Sequence, residues 1–225
     1  MEIKELKDTS SLRRDCEEMK RLKEVVRKKV RSKYLWVIDA GHGMWTRGKR
    51  STMRNGDTFY EYHWNRKVKD GIIEELCKLG IECIDLVPEV AIGNALWERI
   101  FRISKIKTEK PIILISIHFN AGPGKYTRAT GVETWYKNNC KESKKIAKDL
   151  QSDIVYYTGL ISRGIKTKKE KEFFILRNFK GHAAVLTENG FFNNQTEVER
   201  LIKPATIRQI IRGHVEAIKR YEGWY

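Results

Sequence analysis

Three short polar segments of this sequence each follow an apolar run and carry residue types that can do chemistry. They are Asp39-Ala-Gly-His-Gly43, Ser116-Ile-His-Phe-Asn-Ala121 and Leu186-Thr-Glu-Asn-Gly190. His42 and His118 offer imidazole nitrogens and Glu188 offers a carboxylate, groups that ligate metal ions or transfer protons. Together they are typical of either a metal site or a catalytic triad. Because no cysteine or serine occupies a comparable position as a nucleophile, a metal site is the simpler interpretation.

A third metal ligand has to come from another segment, and Glu61 is the candidate. It follows a polar, glycine-containing stretch, residues 44–60, and opens the segment Glu61-Tyr-His-Trp-Asn65. Long stretches of this kind in compact domains are usually functional. Position alone leaves two interpretations open, a metal ligand or an acid at a helix N-terminus that the helix dipole favours. His63, two residues further on, is an alternative ligand.

Apolar runs and helical periodicities alternate along the chain after residue 33. Strands are predicted at 34–40, 81–87, 112–118, 131–136, 173–176 and 183–187, and helices around the apolar positions of 68–79, 92–103, 146–154 and 207–218. Strands that alternate with helices predict an α/β fold, in which a single domain has a mostly parallel, mixed, twisted sheet with helices on both faces.

The three polar segments lie at the carboxyl ends of predicted strands. Ligands of open α/β sheets bind beyond this edge of the sheet. One edge would therefore bring His42, His118 and Glu188 together, and Gly41 and Gly43 would let the backbone turn sharply around His42.

The first 33 residues are charged throughout and carry a helical pattern of apolar positions. We therefore predict a charged N-terminal helical arm, residues 1–33, ahead of a catalytic domain, residues 34–225. The arm lacks the apolar core of a secretory signal. No apolar run approaches the roughly 20 residues that cross a bilayer. These features predict a protein that is cytoplasmic as synthesised and has no transmembrane segment. The four cysteines form no C-x-x-C pair and are typical of reduced thiols.

The 225-residue chain is strongly basic, with 45 Lys and Arg against 29 Asp and Glu, a net charge of +16. Such a surplus favours nucleic acid, anionic lipid or an acidic cell envelope as partners, and charge alone does not choose among them. A basic nucleic-acid-binding protein with a structural metal is thus the alternative from another functional class. The sequence has no nucleic-acid motif, and its aromatic residues are not interleaved with basic ones as a stacking platform requires.

At these residues the chain resembles the zinc-dependent N-acetylmuramoyl-L-alanine amidases of the amidase-3 type. That family carries a D-x-G-H-G segment, a Glu followed four residues later by Asn, an S-x-H-x-N-A segment and an E-x-G-F segment. All four recur here in order, and the resemblance spans about residues 34 to 221. Lesser features of the family recur as well: Leu96, Arg99, Gly131-Val-Glu133, Arg163-Gly164, Phe174-Ile-Leu-Arg177 and Asn194. Two departures are Ala40, where proline is common, and a stretch 44–60 that is more basic and less glycine-rich than expected.

The resemblance implies one zinc ion held by His42, Glu61 and His118, with Glu188 as the catalytic general base. Two imidazoles and one carboxylate leave zinc an open position for water. Zinc lowers the pKa of such a water toward about 7. The implied substrate is peptidoglycan, and the bond is the amide between N-acetylmuramic acid and L-alanine of the peptide stem. Asn65 and Asn120 are expected to orient ligands or to cap turns.

An amidase without a signal sequence resembles a bacteriophage endolysin, which acts at the cell wall after release from the cytoplasm and lyses the host. Its basic charge would favour contact with an anionic envelope, and no specific nucleic-acid partner is expected. A host cell-wall amidase, or a zinc peptidase or carboxypeptidase acting on another peptidoglycan bond, is the alternative. Four aromatic residues are predicted near the mouth of the site, as sugar-stacking or ordinary rim side chains: Trp45, Tyr60, Tyr126 and Trp135.

Overall fold

The computed structural model describes residues 32–90 and 95–224 of the chain. Within these ranges the main sheet has six strands in the order β4-β1-β5-β8-β6-β7. The first four are mutually parallel, whereas β6 pairs antiparallel with β8 and parallel with β7. The strands are β1 (Leu35–Ala40), β4 (Cys83–Asp85), β5 (Ile112–Asn120), β6 (Val132–Tyr136), β7 (Ser162–Lys166) and β8 (Ala183–Phe191).

Six helices in the described ranges cover the two faces of this sheet. They are α1 (Glu61–Leu79), α2 (Leu96–Ser104), α3 (Lys141–Thr158), α4 (Phe174–Asn178), α5 (Gln195–Leu201) and α6 (Pro204–Glu222). The apolar sides of α1, α3 and α6 form one buried cluster with alternate residues of the strands, and α2 and α4 pack in a second cluster on the opposite face. The predicted α/β fold, a single domain with a mostly parallel mixed sheet and helices on both faces, is confirmed.

Strand β1 shows how the sheet is buried on both faces. All six residues of β1 are buried, with Trp36 and Ile38 in one cluster and Val37 in the other. A parallel strand covered by helices on both sides has no solvent-facing positions, so its sequence is a continuous apolar run. Asp39 is the exception in this run, and its partners belong to the site described below.

The stretch 44–60, expected to be a polar loop, contains a two-stranded antiparallel hairpin. β2 (Arg50–Thr52) pairs with β3 (Thr58–Tyr60) and lies outside the main sheet. The edge strand β7 was also missed, because its sequence Ser-Arg-Gly-Ile-Lys has neither an apolar run nor a clear alternation.

The predicted strand at 173–176 is wrong, because residues 174–178 form helix α4. A run of four apolar residues cannot distinguish a strand from a short buried helix by periodicity. Here Ile175 and Leu176 are buried in the second cluster, while Phe173 and Phe174 face the cavity described below.

The predicted arm, residues 1–33, lies almost wholly outside the described residues and stays a prediction. Its described end contacts the domain: Ser32 Oγ donates to Glu222 Oε1 at 2.8 Å, and the Lys33 amide donates to Glu222 Oε2 at 2.7 Å. Ile92, which was expected in the second helix, also lies outside the described residues.

No described helix is long and apolar enough to span a bilayer. The described cysteines, Cys77, Cys83 and Cys140, are free.

Candidate metal and catalytic site

The carboxyl edge of the sheet brings the sequence-predicted residues together. His42 follows β1, and the pairing of β5 with β8 places His118 directly opposite Glu188. Glu61 is the first residue of α1, which follows the hairpin. His42, His118 and Glu188 therefore meet at the ends of three neighbouring parallel strands, as the edge argument predicted, and Glu61 joins them from the start of a helix.

The backbone around His42 is fitted closely to His118. A Cβ atom at Gly41 would lie 2.0 Å from Cε1 of His118, so only glycine leaves room for that ring. His42 itself adopts the left-handed backbone region, with φ of 62°, a conformation that costs energy in residues other than glycine. The turn points the imidazole of His42 at the imidazole of His118, and the ring centroids are 4.9 Å apart.

Glu61 lies between the two imidazoles. Its Oε1 is 3.3 Å from His42 Nε2 and 3.1 Å from His118 Nδ1, and it also accepts from the Phe119 amide at 3.3 Å. Burial raises the pKa of Glu61, but hydrogen bonds from His118 and His42 outweigh burial and hold the pKa well below its usual range. Glu61 is therefore a carboxylate in a site where its side chain is 1 % exposed.

His42, Glu61 and His118 can hold a metal ion, since one ligand atom of each lies within 4.8 Å of the others. His42 Nδ1 and Glu61 Oε2 are buried and have no hydrogen-bond partner among the described residues. Burial lowers the pKa of His42, which favours the neutral imidazole that a metal needs. Two neutral imidazoles and a carboxylate are a donor set that suits zinc, so the residues present fit the ion.

Glu188 borders the same space. It lies in β8 with 8 % of its surface exposed, and its Oε2 has no hydrogen-bond partner among the described residues. Burial, and then the charge of Glu61, raise the pKa of Glu188 well above its ordinary value, while Lys49 opposes them. Glu188 lines a cavity of about 200 Å³ together with His42, His118 and Lys49. A carboxyl group in such a place can take up and release a proton.

A buried ion pair beneath the cavity supports the His42 turn. Arg99 Nε donates to Asp39 Oδ1 at 2.8 Å, and Ser116 Oγ donates to Asp39 Oδ2 at 2.6 Å. The other end of the Arg99 guanidinium donates to the carbonyls of Ala40 and His42 at 3.1 and 3.2 Å. Sequence reasoning gave Asp39 no role, although a charged residue in an otherwise apolar strand indicates a buried partner.

The two asparagines predicted to orient ligands differ in what they contact. Asn65 Nδ2 donates to the carbonyl of Gly41 at 2.9 Å and so fixes the segment that carries His42. Asn120 Nδ2 instead donates to Glu133 Oε1 at 2.9 Å. A third asparagine, Asn189, was not anticipated, and its Nδ2 donates to the carbonyl of His118 at 3.0 Å.

His63 and the aromatic residues that were predicted near the site differ in their exposure and contacts. His63 is exposed and contacts the Trp64 ring, so it is not grouped with the other ligands. Trp45, Tyr60 and Tyr126 are exposed, and Trp135 packs edge-on against Phe173 with ring centroids 5.2 Å apart. Phe173 and Phe174 line the cavity with Leu96. The two phenylalanines were missed as site residues because their segment was assigned to a strand.

The chain is similar to known proteins in sequence and in fold. A family model described as N-acetylmuramoyl-L-alanine amidase matches residues 37–220. The endolysin of Bacillus phage SPP1 is 32 % identical over 197 residues, which is 83 % of this chain and 65 % of that protein. The amidase CwlM of Bacillus licheniformis is 34 % identical over 107 residues, 47 % of this chain and 39 % of that one. The chain thus spans less than two thirds of the length of either relative.

A solved structure agrees with the sequence matches. The crystal structure of an N-acetylmuramoyl-L-alanine amidase from Clostridium difficile 630 aligns with a TM-score of 0.70 and 29 % identity, and the alignment covers 85 % of this chain and 97 % of that one. The resemblance inferred from the four motifs is confirmed. This chain belongs to the N-acetylmuramoyl-L-alanine amidase family of the amidase-3 type.

Proposed function

We propose that the protein hydrolyses the amide bond between N-acetylmuramic acid and L-alanine in peptidoglycan, with one zinc ion as cofactor. The observation that carries the proposal is the grouping of His42, Glu61 and His118 within 4.8 Å of one another, with Glu188 opposite His118 on the neighbouring strand. The family to which the chain belongs supports this choice of bond. The donor set of two imidazoles and one carboxylate supports zinc as the metal.

His42, Glu61 and His118 would hold the zinc. Bound there, zinc would supply an electrophile that polarises the amide carbonyl and lowers the pKa of a water molecule. The rigidity of the three side chains comes from the chain itself: Asn65 and Arg99 hold the backbone of residues 41 and 42. Asn189 holds the backbone of His118 from the other side.

Glu188 moves the protons. Its unpartnered Oε2 would take a proton from the attacking water and deliver it to the nitrogen of the leaving L-alanine. Burial and the charge of Glu61 raise the pKa of Glu188, which makes it a stronger base than an exposed glutamate. The cationic Lys49, which also lines the cavity, works in the opposite direction and favours the ionised form that the first proton transfer needs.

The test is a digestion of purified peptidoglycan by the wild-type protein and by Glu188→Gln, with products identified by mass spectrometry. We expect free stem peptides that begin with L-alanine from the wild type, and a rate at least 10²-fold lower from the variant, the usual size of a general-base contribution. Metal analysis of both proteins is the control, because Glu188→Gln should keep one zinc per chain. A variant that loses zinc along with activity would make Glu188 a ligand rather than the base.

Other products would favour the alternatives. Peptides cleaved within the stem would indicate a zinc peptidase or carboxypeptidase with the same site. Intact peptidoglycan, together with salt-sensitive DNA or RNA binding that does not need Glu188, would favour the nucleic-acid-binding protein.

The biological setting rests on the phage SPP1 relative, which is named an endolysin. The protein would be held in the cytoplasm until the membrane is breached and would then lyse the cell from within. The expected result is that cells producing it in the cytoplasm lyse only when a membrane-permeabilising agent is added, and that Glu188→Gln cells do not. Lysis without the agent, or none with it, would favour a host cell-wall amidase.

A further inference from the structure

A second recess lies beside the catalytic cavity, between the hairpin β2–β3 and the loop that follows β5. We call it the hairpin groove. Its walls include Arg50, Ser51, Thr58 and Tyr60 on one side and Gly122 and Lys125 on the other. Both walls connect directly to the site, because Tyr60 precedes Glu61 and β5 carries His118.

The groove is positively charged and has no acidic residue in its lining. Among the described residues, no carboxylate lies within ion-pair distance of Arg50 or Lys125, and the Nζ atom of Lys125 contacts the Tyr126 ring, 5.3 Å from its centroid. Other cations of the hairpin do have partners. Arg54 pairs with Glu199 at 3.5 Å on a different side. Two cations without a counter-charge in a recess are suited to an anionic ligand.

Ser51 also belongs to the hairpin wall, but its side chain faces away from the groove. It is 7 % exposed, and its Oγ is buried with no hydrogen-bond partner among the described residues. In β2 it is paired with Phe59, so both side chains lie on the inward face of the hairpin. Successive side chains of a strand point to opposite faces, so Arg50 and Tyr60 project from the other face of the hairpin, on the side of the groove.

Hydrogen bonds with Asn193 hold the opposite wall of the groove in place. Asn193 Nδ2 donates to the carbonyls of Gly122 and Gly124 at 3.0 and 3.2 Å, and Asn193 Oδ1 accepts from the Gly122 amide at 2.9 Å. Asn193 is buried. The loop that carries Lys125 is therefore held in place before any ligand arrives, which lowers the entropic cost of binding.

The chemistry of the substrate decides which part of it suits this groove. The one carboxyl group of N-acetylmuramic acid is the lactyl carboxyl, and it is consumed in the amide that is cleaved. The negative charge of an uncleaved muramyl peptide therefore lies on the peptide side, in its acidic residue and its terminus. The catalytic cavity instead has an apolar wall of Leu96, Phe173 and Phe174.

We propose that the hairpin groove binds the peptide stem on the leaving-amine side of the scissile bond, through the carboxylates of the stem, with Arg50 and Lys125 as the anion-binding side chains. The assignment rests on the proposed function. It also accounts for the basic character of the stretch 44–60, which departs from the family pattern. Four cations, Arg47, Lys49, Arg50 and Arg54, stand there against the single acid Asp57.

The experiment measures binding of the soluble tripeptide L-Ala-γ-D-Glu-L-Lys to the zinc-loaded full chain by calorimetry. The variants are Arg50→Gln and Lys125→Gln, and the matched control is Arg54→Gln, which removes one charge from the same hairpin outside the groove. We expect about tenfold weaker binding for each charge variant, the size of one charge-assisted contact. Binding to Arg54→Gln should equal wild type. Peptide with amidated carboxylates should bind the wild type more weakly than free peptide binds Arg50→Gln, because amidation removes both charge-assisted contacts.

If Arg54→Gln weakened peptide binding equally, the effect would come from the overall charge of the hairpin, and the assignment would be overturned. Indifference to amidation, or equal binding by all variants, would overturn it too, as would preference for a poly(glycerol phosphate) over the peptide at the same residues. Melting temperatures show whether each variant is folded. Binding of the peptide does not require hydrolysis. If the protein binds the peptide as expected but cleaves no muramyl amide, the proposed function is wrong and the assignment of the groove stands.

Discussion

Gly41 shows how strongly a single residue determines this site. The absence of a side chain at this position is what lets the His118 ring lie against the backbone that carries His42, since a Cβ there would be 2.0 Å from Cε1. The neighbouring positive φ of His42 means that two adjacent residues hold strained or crowded geometry. Strain of this kind persists at functional sites because the surroundings over-determine it.

We expect Gly41→Ala to displace the His118 ring and to reduce zinc affinity at least tenfold, in line with the sensitivity of metal sites to ligand orientation. The measurement is zinc retained after dialysis against a competing chelator. Gly48→Ala is the control, since Gly48 has a positive φ of 75°, which strains an alanine there, but no atom near the added methyl group. That variant should lose stability yet keep its zinc, and equal zinc loss in both would point to a general unfolding of the loop.

The buried pair of Asp39 and Arg99 is a second determinant at this scale. Both side chains are at most 2 % exposed, with Nε and Oδ1 2.8 Å apart. Removing one partner leaves a buried charge uncompensated, so we expect Arg99→Met to lower the free energy of unfolding by about 3–5 kcal/mol. Urea denaturation measures this. Arg54→Met breaks an exposed pair and should cost at most about 1 kcal/mol.

A double variant separates charge from packing. In Asp39→Asn with Arg99→Met no charge is left buried, so part of the lost stability should return. If the double variant is less stable than Arg99→Met alone, the hydrogen bonds of Asp39, including the one from Ser116, outweigh the charge.

At the scale of elements, α6 is connected to β8, the strand that carries Glu188, by a buried chain of polar groups. His214 Nδ1 lies 2.8 Å from the Ile210 carbonyl, which can only accept, so Nδ1 carries the proton and Nε2 accepts from Thr187 Oγ1 at 3.0 Å. Thr187 in turn accepts from Asn189 Nδ2 at 3.1 Å. Asn189 also holds the His118 carbonyl, so this chain of contacts runs from a helix to a ligand segment.

Burial lowers the pKa of His214 from 6.5 to about 4. The unfolded chain takes up a proton at His214 as the pH falls below 6.5, while the folded protein resists until about pH 4. The stability contributed by neutral His214 is therefore complete above pH 6.5 and is lost as the pH falls toward 4, by about 3 kcal/mol in all.

The comparison with His214→Gln isolates this effect, because the other buried groups titrate in both proteins. With chelator present, the difference between their free energies of unfolding should shrink by about 3 kcal/mol from pH 7 to pH 4. Urea denaturation at a series of pH values measures it. A difference that does not change with pH would mean that His214 titrates normally in the folded protein.

Whether an element could be predicted from the sequence depends on how it is stabilised in the fold. β1, β5 and α1 have long apolar patterns, since they are buried in the centre of the sheet or along one face, and their type was predicted correctly. β7 and the hairpin are short and partly exposed, so their patterns are weak. α4 is five residues long, too short for helical periodicity to appear.

The site divides in the same way. His42, His118 and Glu188 were predictable because a parallel sheet brings strand ends to one edge. The positions of Phe173, Phe174 and the hairpin groove depend on how loops and short elements fold back over that edge. Such contacts are set by tertiary packing, and no local pattern in the sequence records them.

At the scale of the whole molecule, the net charge of +16 predicts that encounter with the cell wall depends on salt. Exposed charges attract a polyanionic surface over a Debye length, which shrinks from about 10 Å at 0.1 M to about 3 Å at 1 M salt. We expect the rate on intact, anionic wall sacculi to fall several-fold between these concentrations. The rate on a small soluble muramyl peptide should change much less, because contacts inside a partly buried site are screened weakly. Turbidity clearing and chromatography of the soluble product measure the two rates. A parallel fall of both would place the salt effect within the site itself, at cations such as Lys49, rather than at the basic surface as a whole.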